Sequence, residues 1–128
     1  MIYLDSSVVL ADLFSERRSE PDSFWRGEFV SSRLLEYEVW NRIHARNIVK
    51  AKRERARYLL ARVDFIEMTA AALERATKPF SVFLRTLDSL HVATLAHLYA
   101  RDQSTALASY DKRMMAAAEA LDIPIYKF

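Results

Sequence analysis

Met1-Ile-Tyr-Leu-Asp-Ser-Ser-Val-Val-Leu10 opens the chain. Ile2, Tyr3 and Leu4 need burial, and a strand built from them is expected at the centre of a sheet, flanked by strands laid down later. Asp5 follows at once, with two hydroxyls behind it and then a new apolar run. A carboxylate at the C-terminal end of a buried parallel strand, where a helix begins, lies where open α/β sheets carry their chemistry. The plainer reading of Asp5 is a helix cap, since Asp and Ser both serve in that position. The stretch alone does not choose between them.

Outward from this strand, Ser7 to Phe14 reads as a helix. Residues 15–23 are polar, with one proline, and read as a loop or a short broken helix whose far end Phe24 and Trp25 anchor. A second strand spans Glu28 to Ser32. A helix follows from Arg33 to about Ile48, with Leu34, Leu35, Val39 and Ile43 at helical spacing. A further helix, Ala51 to Ala61, is rich in Arg. Val63 to Met68 is the third strand, and Thr69 caps an alanine-rich helix ending at Ala76. After a connection from Pro79 to Arg85, Thr86 is expected to cap a helix from Leu87 to Tyr99. Thr94, on its inward stripe, can bond back to the carbonyl one turn earlier. Thr105 to Ser109 is the fourth strand, Lys112 to Leu121 a helix, and Ile123 to Phe128 a last strand. Pro124 lacks a donor and sets that strand at a sheet edge. Five strands separated by helices imply a parallel, three-layer α/β fold. Neither a repeat nor a linker divides the chain, so a single domain over residues 1–128 is expected.

Composition narrows the chemistry. The 128 residues are 52% hydrophobic, enough for an ordinary core. A single glycine excludes a Walker A loop and a dinucleotide fingerprint. The absence of cysteine removes disulfides, zinc–thiolate sites and cysteine nucleophiles, and fits a reducing, cytoplasmic setting. No apolar run is long enough to span a bilayer, and the N-terminus lacks a signal-peptide pattern, so no membrane association is expected. Net charge is only +2, but Arg42, Arg46, Lys50, Lys52, Arg53, Arg55, Arg57 and Arg62 crowd one region. Such a field suits a phosphate backbone or an acidic protein partner; the plain alternative is a solvated helical hairpin.

Four acids stand out by position. Asp5 ends the first strand, Glu38 lies in the second turn of the helix after strand two, Asp88 begins the helix after residue 86, and Asp111 follows strand four. In a parallel sheet these places share one rim, so the four can converge. Each has its own bland reading. Asp88 suits a helix dipole, Asp111 a cap or turn, and Glu38 an i,i+4 pair with Arg42. Gathered carboxylates raise one another's pKa and need a cation. Hard oxygen donors without sulfur point to Mg²⁺ or Mn²⁺. Two such ions about 3.5–4 Å apart can drive phosphodiester hydrolysis.

With these acids in place, the chain resembles the PIN-domain ribonucleases, specifically the toxins of VapBC type II toxin–antitoxin pairs. The matching segments are Met1-Ile-Tyr-Leu-Asp-Ser-Ser7, Val30-Ser-Ser-Arg-Leu-Leu-Glu-Tyr-Glu38, Leu84-Arg-Thr-Leu-Asp-Ser-Leu-His-Val-Ala-Thr94 and Leu107-Ala-Ser-Tyr-Asp-Lys-Arg-Met114. The resemblance implies a sheet of order 3-2-1-4-5 and an Mg²⁺-dependent endoribonuclease in which activated water attacks phosphorus, leaving 5′-phosphate and 3′-hydroxyl ends. It implies catalytic roles for Asp5, Glu38, Asp88 and Asp111, with Asp5 and Asp88 as chief metal ligands and Asp111 beside them. The family's spacing from Leu34 selects Glu38; a shift of register would select Glu36. Ser6 and Ser109 are expected to hold a ligating acid or a water, the alternative for each being a backbone cap, and Ser7 is either a cap or a support of the same kind. His91 is expected in the core or just behind the acids, and His44 and His97 at the surface or in packing.

The resemblance also implies partners. These are an RNA substrate, a cognate antitoxin, a homodimer and a toxin–antitoxin hetero-oligomer that meets DNA only through the antitoxin. Arg42, Arg46, Arg53 and Arg57 are candidate phosphate contacts, and Trp40 and Trp25 candidate antitoxin contacts, with ordinary packing as the alternative for both tryptophans. The competing reading is a catalytically inactive PIN-like interaction module. A haloacid dehalogenase-type phosphatase is disfavoured because Ser7 stands where a second Asp belongs.

Overall fold

The computed structural model describes residues 1–16 and 20–128. β1 (Ile2–Leu4) is paired on both sides, with β2 (Phe29–Ser32) and with β4 (Ala106–Ala108); β3 (Val63–Ile66) lies outside β2. Every pairing is parallel. Ile2 stands opposite Phe29 and Ala106, and Leu4 opposite Ala108. Tyr3 and Leu4 are fully buried. The opening stretch is therefore the inner strand that its apolar content demands.

Among the described residues the sheet has four strands in the order β3-β2-β1-β4, which corrects the expected five-stranded 3-2-1-4-5 arrangement. Residues 123–128 contribute one isolated parallel bridge, Ile125 with Leu107. It is held by the Leu107 N–H on the Pro124 carbonyl (2.8 Å) and the Tyr126 N–H on the Leu107 carbonyl (2.7 Å). Pro124 has no N–H with which to extend a ladder. The rings of Tyr126 and Phe128 instead pack on Phe24, each with centroids 5.5 Å away.

Helices cover both faces. α1 (Ser6–Leu13), α2 (Leu34–Ala45) and α3 (Val49–Leu60) close over one of them. Leu4, Val8, Leu13, Leu35, Val39, Ile43 and Leu59 form that core with Trp25 and Phe29. α5 (Thr86–Arg101) and α6 (Lys112–Ala120) cover the other face, where Tyr3, Val30, Val92, Leu95, Leu107 and Met114 meet. Tyr3 and Leu4 enter different cores because successive strand side chains point to opposite faces. Each large apolar side chain buried in this way contributes about 1.5–3 kcal/mol. α4 (Ala70–Ala76) packs on α5.

Thr69 caps α4, its hydroxyl accepting the Ala72 N–H at 3.1 Å. The expected cap of α5 is displaced. Thr86 is already helical, and the extended residue before it, Arg85, makes no side-chain capping bond. Thr94 bonds back to the Leu90 carbonyl at 2.8 Å. Of the polar segment 15–23, residues 17–19 lie outside the described residues; its far end runs into one 3₁₀ turn, Phe24–Arg26, with Phe24 and Trp25 buried. Among the described residues no helix is long and apolar enough to cross a membrane.

Candidate active site at the carboxyl rim of the sheet

Because the strands are parallel, their C-terminal ends share one rim. β1 delivers Asp5 there, and β4 delivers Ser109 and then Asp111. α2, entered from β2, brings Glu38 in its second turn, and the first turn of α5 brings Asp88. All four acids line one cavity of about 630 Å³, together with Ser6, Ser7, Arg42, Arg46 and Arg85. Glu36 does not line it. It pairs with Arg33 at 3.5 Å, one turn away on the same helix.

Asp5 is 3% exposed and occupies the position before α1, yet its side chain makes no capping bond. Its Oδ2 instead accepts hydroxyl bonds from Ser7 (2.6 Å) and Ser109 (2.8 Å). The Ser7 oxygen in turn accepts the Tyr110 N–H at 3.0 Å, and the Ser109 oxygen accepts the Asp111 N–H at 2.9 Å. Two serines from segments a hundred residues apart in sequence thus fasten the carboxylate to the turn after β4. Burial raises the Asp5 pKa; the Ser7 bond, His91 and the Ser109 bond oppose this, and Glu38 adds to it.

Glu38 has both oxygens engaged. Oε2 accepts from the Ser6 hydroxyl at 3.1 Å, and Oε1 meets Nε2 of His91 in a short contact. Behind His91 stands Tyr3, whose Oη lies 3.0 Å from Nδ1. Tyr3 Oη accepts the Ser32 N–H at 3.2 Å, so the phenolic proton is available to Nδ1. In the neutral ring an accepting Nδ1 would put the imidazole proton on Nε2, where it serves Glu38; in the imidazolium both nitrogens donate, and Nε2 serves Glu38 either way. Burial disfavours an imidazolium at His91, but the Glu38 hydrogen bond and the charges of Glu38, Asp5 and Asp88 outweigh it and raise the pKa.

Asp88 differs from both. It is half-buried, with no hydrogen-bond partner among the described residues, and its pKa is pushed up to about 6 by burial and then by the charges of Asp111, Asp5 and Glu38. Asp111 keeps part of its bland reading, since Oδ1 caps α6 by accepting the N–H groups of Arg113 (2.9 Å) and Met114 (3.1 Å).

The basic residues separate. Arg42 and Arg46 line the acid cavity, Arg46 lying 4.1 Å from the Phe14 ring centroid. Arg53 and Arg57, exposed on α3, do not line it. Trp25 is 1% exposed, a packing residue that offers no contact surface. Trp40 is partly buried against the first core and edges a shallow groove with Arg33, Tyr37 and His44. Sequence reasoning left Ser7 undecided between cap and support, did not single out Arg85, and placed His91 near the acids without a partner. The readable signal was spacing: Asp88 and His91, three apart, share a helix face.

The donor set is all hard oxygen, and the repulsion from Asp111, Asp5 and Glu38, which adds to burial in raising the Asp88 pKa, is what a divalent cation would relieve. In kind, therefore, the residues fit Mg²⁺. In arrangement the set stays open: among the described residues no group of three or more acids or histidines is drawn into metal-holding proximity.

Comparison with known proteins gives the same placement. The PIN domain family model matches residues 2–120. Ribonuclease VapC47 of Mycobacterium tuberculosis (strain CDC 1551 / Oshkosh) is 31% identical over 121 residues, covering 90% of this chain and 88% of the relative. Ribonuclease VapC35 of the same strain is 30% identical over 98% of this chain and 95% of its own length. Ribonuclease VapC46 of strain ATCC 25618 / H37Rv is 31% identical over 97% and 95%. No solved structure gives a significant match. A parallel sheet with acids from four segments along one rim, and a family match that runs through all four, make this chain a member of the PIN-domain family, related to the VapC ribonucleases of Mycobacterium.

Proposed function

We propose that this chain, as a single PIN domain over residues 1–128, is an Mg²⁺-dependent endoribonuclease and the toxin of a toxin–antitoxin pair. The observation that carries the reading is the convergence of Asp5, Glu38, Asp88 and Asp111 on one cavity, with the Asp88 pKa pushed up to about 6. Asp5, Asp88 and Asp111 would hold Mg²⁺, or Mn²⁺ in its place, which would supply Lewis acidity toward water and the scissile phosphate. Ser7 and Ser109 fix Asp5, and Ser6 and His91 fix Glu38, so neither carboxylate swings when substrate enters. Glu38 would complete the pocket, through water or by direct ligation of the ion. Arg42 and Arg46 face the cavity and take flanking phosphates, which positions RNA without reading its sequence.

The resemblance to the toxins of VapBC pairs is what brings an antitoxin to this reading. A cognate antitoxin would dock along α2 at the groove edged by Trp40, within a homodimer-based complex that touches DNA through the antitoxin alone. The same reading places the protein in the cytoplasm. A second reading, an inactive interaction module, draws on the open spacing of the acids.

Purified wild type, Asp5→Asn and Asp88→Asn, incubated with a mixed RNA pool in Mg²⁺, Mn²⁺ or EDTA, decide between them. Cleavage should require the divalent ion and fall at least about a hundredfold in either variant. Cleavage undiminished by both substitutions would sink the nuclease reading, and none from wild type in any metal would favour the module.

A further inference from the structure

Beside the acid cavity lies a smaller hollow of about 330 Å³, lined by Phe83, Leu84, Arg85, Asp88, Asp111, Lys112 and Arg113. It shares Arg85, Asp88 and Asp111 with the larger cavity, so the two form one continuous surface. Phe83 is 80% exposed, well above Tyr37 at 60%. A lone exposed apolar residue means little, but the way this one is mounted does. Phe80, Val82 and Leu84 pack against the second core, while Ser81, Phe83 and Arg85 between and after them are exposed. The alternation anchors the segment and projects Phe83 and Arg85 toward solvent next to the acids. Arg85, Lys112 and Arg113 form no ion pair among the described residues, so three cations on this wall are available to a ligand.

We propose that this hollow is a subsite for the nucleotide next to the scissile bond of single-stranded RNA. Phe83 stacks the base, and Lys112 and Arg113 take its phosphate. The proposal rests on the RNA-cleaving reading above. An exposed ring beside cations is the combination that binds single strands, because every base has a face to stack and every link a phosphate. The acids alone would repel the strand; cations beside Asp88 and Asp111 offset that repulsion where the strand must pass. The larger cavity repeats the pattern on its α2 wall with Tyr37, Arg42 and Arg46. A protein ligand would account for the exposed ring, but not for three cations set directly against the reaction's own acids.

The test uses the Asp5→Asn protein in EDTA, where cleavage is removed and binding of a short fluorescent single-stranded RNA can be read alone. Adding Phe83→Ala should weaken binding about 5- to 100-fold, and Phe83→Trp should restore it. Lys112→Ala with Arg113→Ala should weaken binding and lower the salt slope by about 0.7 for each phosphate no longer held. An iodouridine-substituted RNA, irradiated on the Asp5→Asn protein, should crosslink to Phe83. In the otherwise wild-type enzyme with Mg²⁺, Phe83→Ala should raise KM far more than it lowers kcat. Unaltered RNA affinity in Phe83→Ala, with crosslinks elsewhere, overturns the subsite while leaving the nuclease reading intact. So does unaltered RNA affinity with a changed oligomeric state, which assigns Phe83 to a protein contact. Absence of RNA binding by the Asp5→Asn parent, together with absence of cleavage by wild type, removes the nuclease reading and the subsite with it.

Discussion

The cavity has a fastened side and an open side. Asp5 and Glu38 are gripped by Ser7, Ser109, Ser6 and His91, and every grip comes from a different segment than the acid it holds, save that of Ser7. Asp88 has no hydrogen-bond partner among the described residues, and Asp111 commits one oxygen to capping α6. The difference follows from where each acid enters. Asp5 leaves a buried strand and Glu38 faces a buried histidine, so both must be satisfied within the fold. Asp88 stands half-buried on an outer turn, where repulsion can be left unrelieved until a cation arrives. One side is fixed by bonds, and on the proposed reading the other is left open for a cation.

Removing charge from the fastened side without removing its bonds should give the largest effect. In Glu38→Gln the amide oxygen can still accept from His91 while the charge is lost. RNA cleavage is expected to fall about a hundredfold or more, with the fold retained and a modestly lower melting temperature, since buried His91 loses the carboxylate that raises its pKa. Glu36→Gln, whose parent pairs, among the described residues, only with Arg33, should cleave like wild type. Equal losses in the two variants would mean that Glu36, not Glu38, belongs to the site.

Next in size is the support behind Glu38. His91→Ala leaves a cavity and a carboxylate oxygen without its donor, at a cost of about 2–4 kcal/mol in urea unfolding. Tyr3→Phe deprives the Ser32 N–H and Nδ1 of His91 of their shared partner and should cost about 1–2 kcal/mol. If the relay is one unit, the double variant Tyr3→Phe/His91→Ala should cost less than the sum of the singles. Strict additivity would show that Tyr3 and His91 act separately.

This relay also marks how far the sequence could be read. The inner position of β1 was legible because Ile2, Tyr3 and Leu4 demand cover, and the rim placement of the acids because parallel strands share one end. The fifth strand was not, although Pro124 was visible. A missing N–H predicts an edge, but only the packing of Tyr126 and Phe128 on Phe24 reduces that edge to a single bridge. Thr86 looked like a cap because Thr often is one; helix α5 starts a residue early and no side chain caps it. Asp5 looked equally like a cap, and what decides against this is the pair Ser7 and Ser109, one of them supplied by β4 from the far end of the chain. Local patterns name the elements, whereas the hydrogen bonds that distinguish a cap from a held carboxylate are long-range.

The smallest expected effect tests the open side directly. Asp88 has its pKa pushed from 3.8 up to about 6 in the folded protein. Between about pH 4 and pH 6 the native state therefore binds more protons than the unfolded chain, and metal-free stability falls as pH rises through that window. Above it, ionised Asp88 is a standing cost of burial and repulsion, no more than about 1 kcal/mol once solvent screening of a half-exposed group is allowed for. Asp88→Asn should then melt higher than wild type in EDTA at about pH 7.5, and the advantage should vanish toward about pH 3, below the unfolded pKa of 3.8, where wild type carries a mostly neutral carboxyl in both states. Adding Mg²⁺ at the higher pH should reverse the order, because only wild type gains the binding free energy of the ion. An Asp88→Asn protein less stable than wild type at both pH values would show that Asp88 is held by bonds after all, and the two sides of the cavity would then be alike.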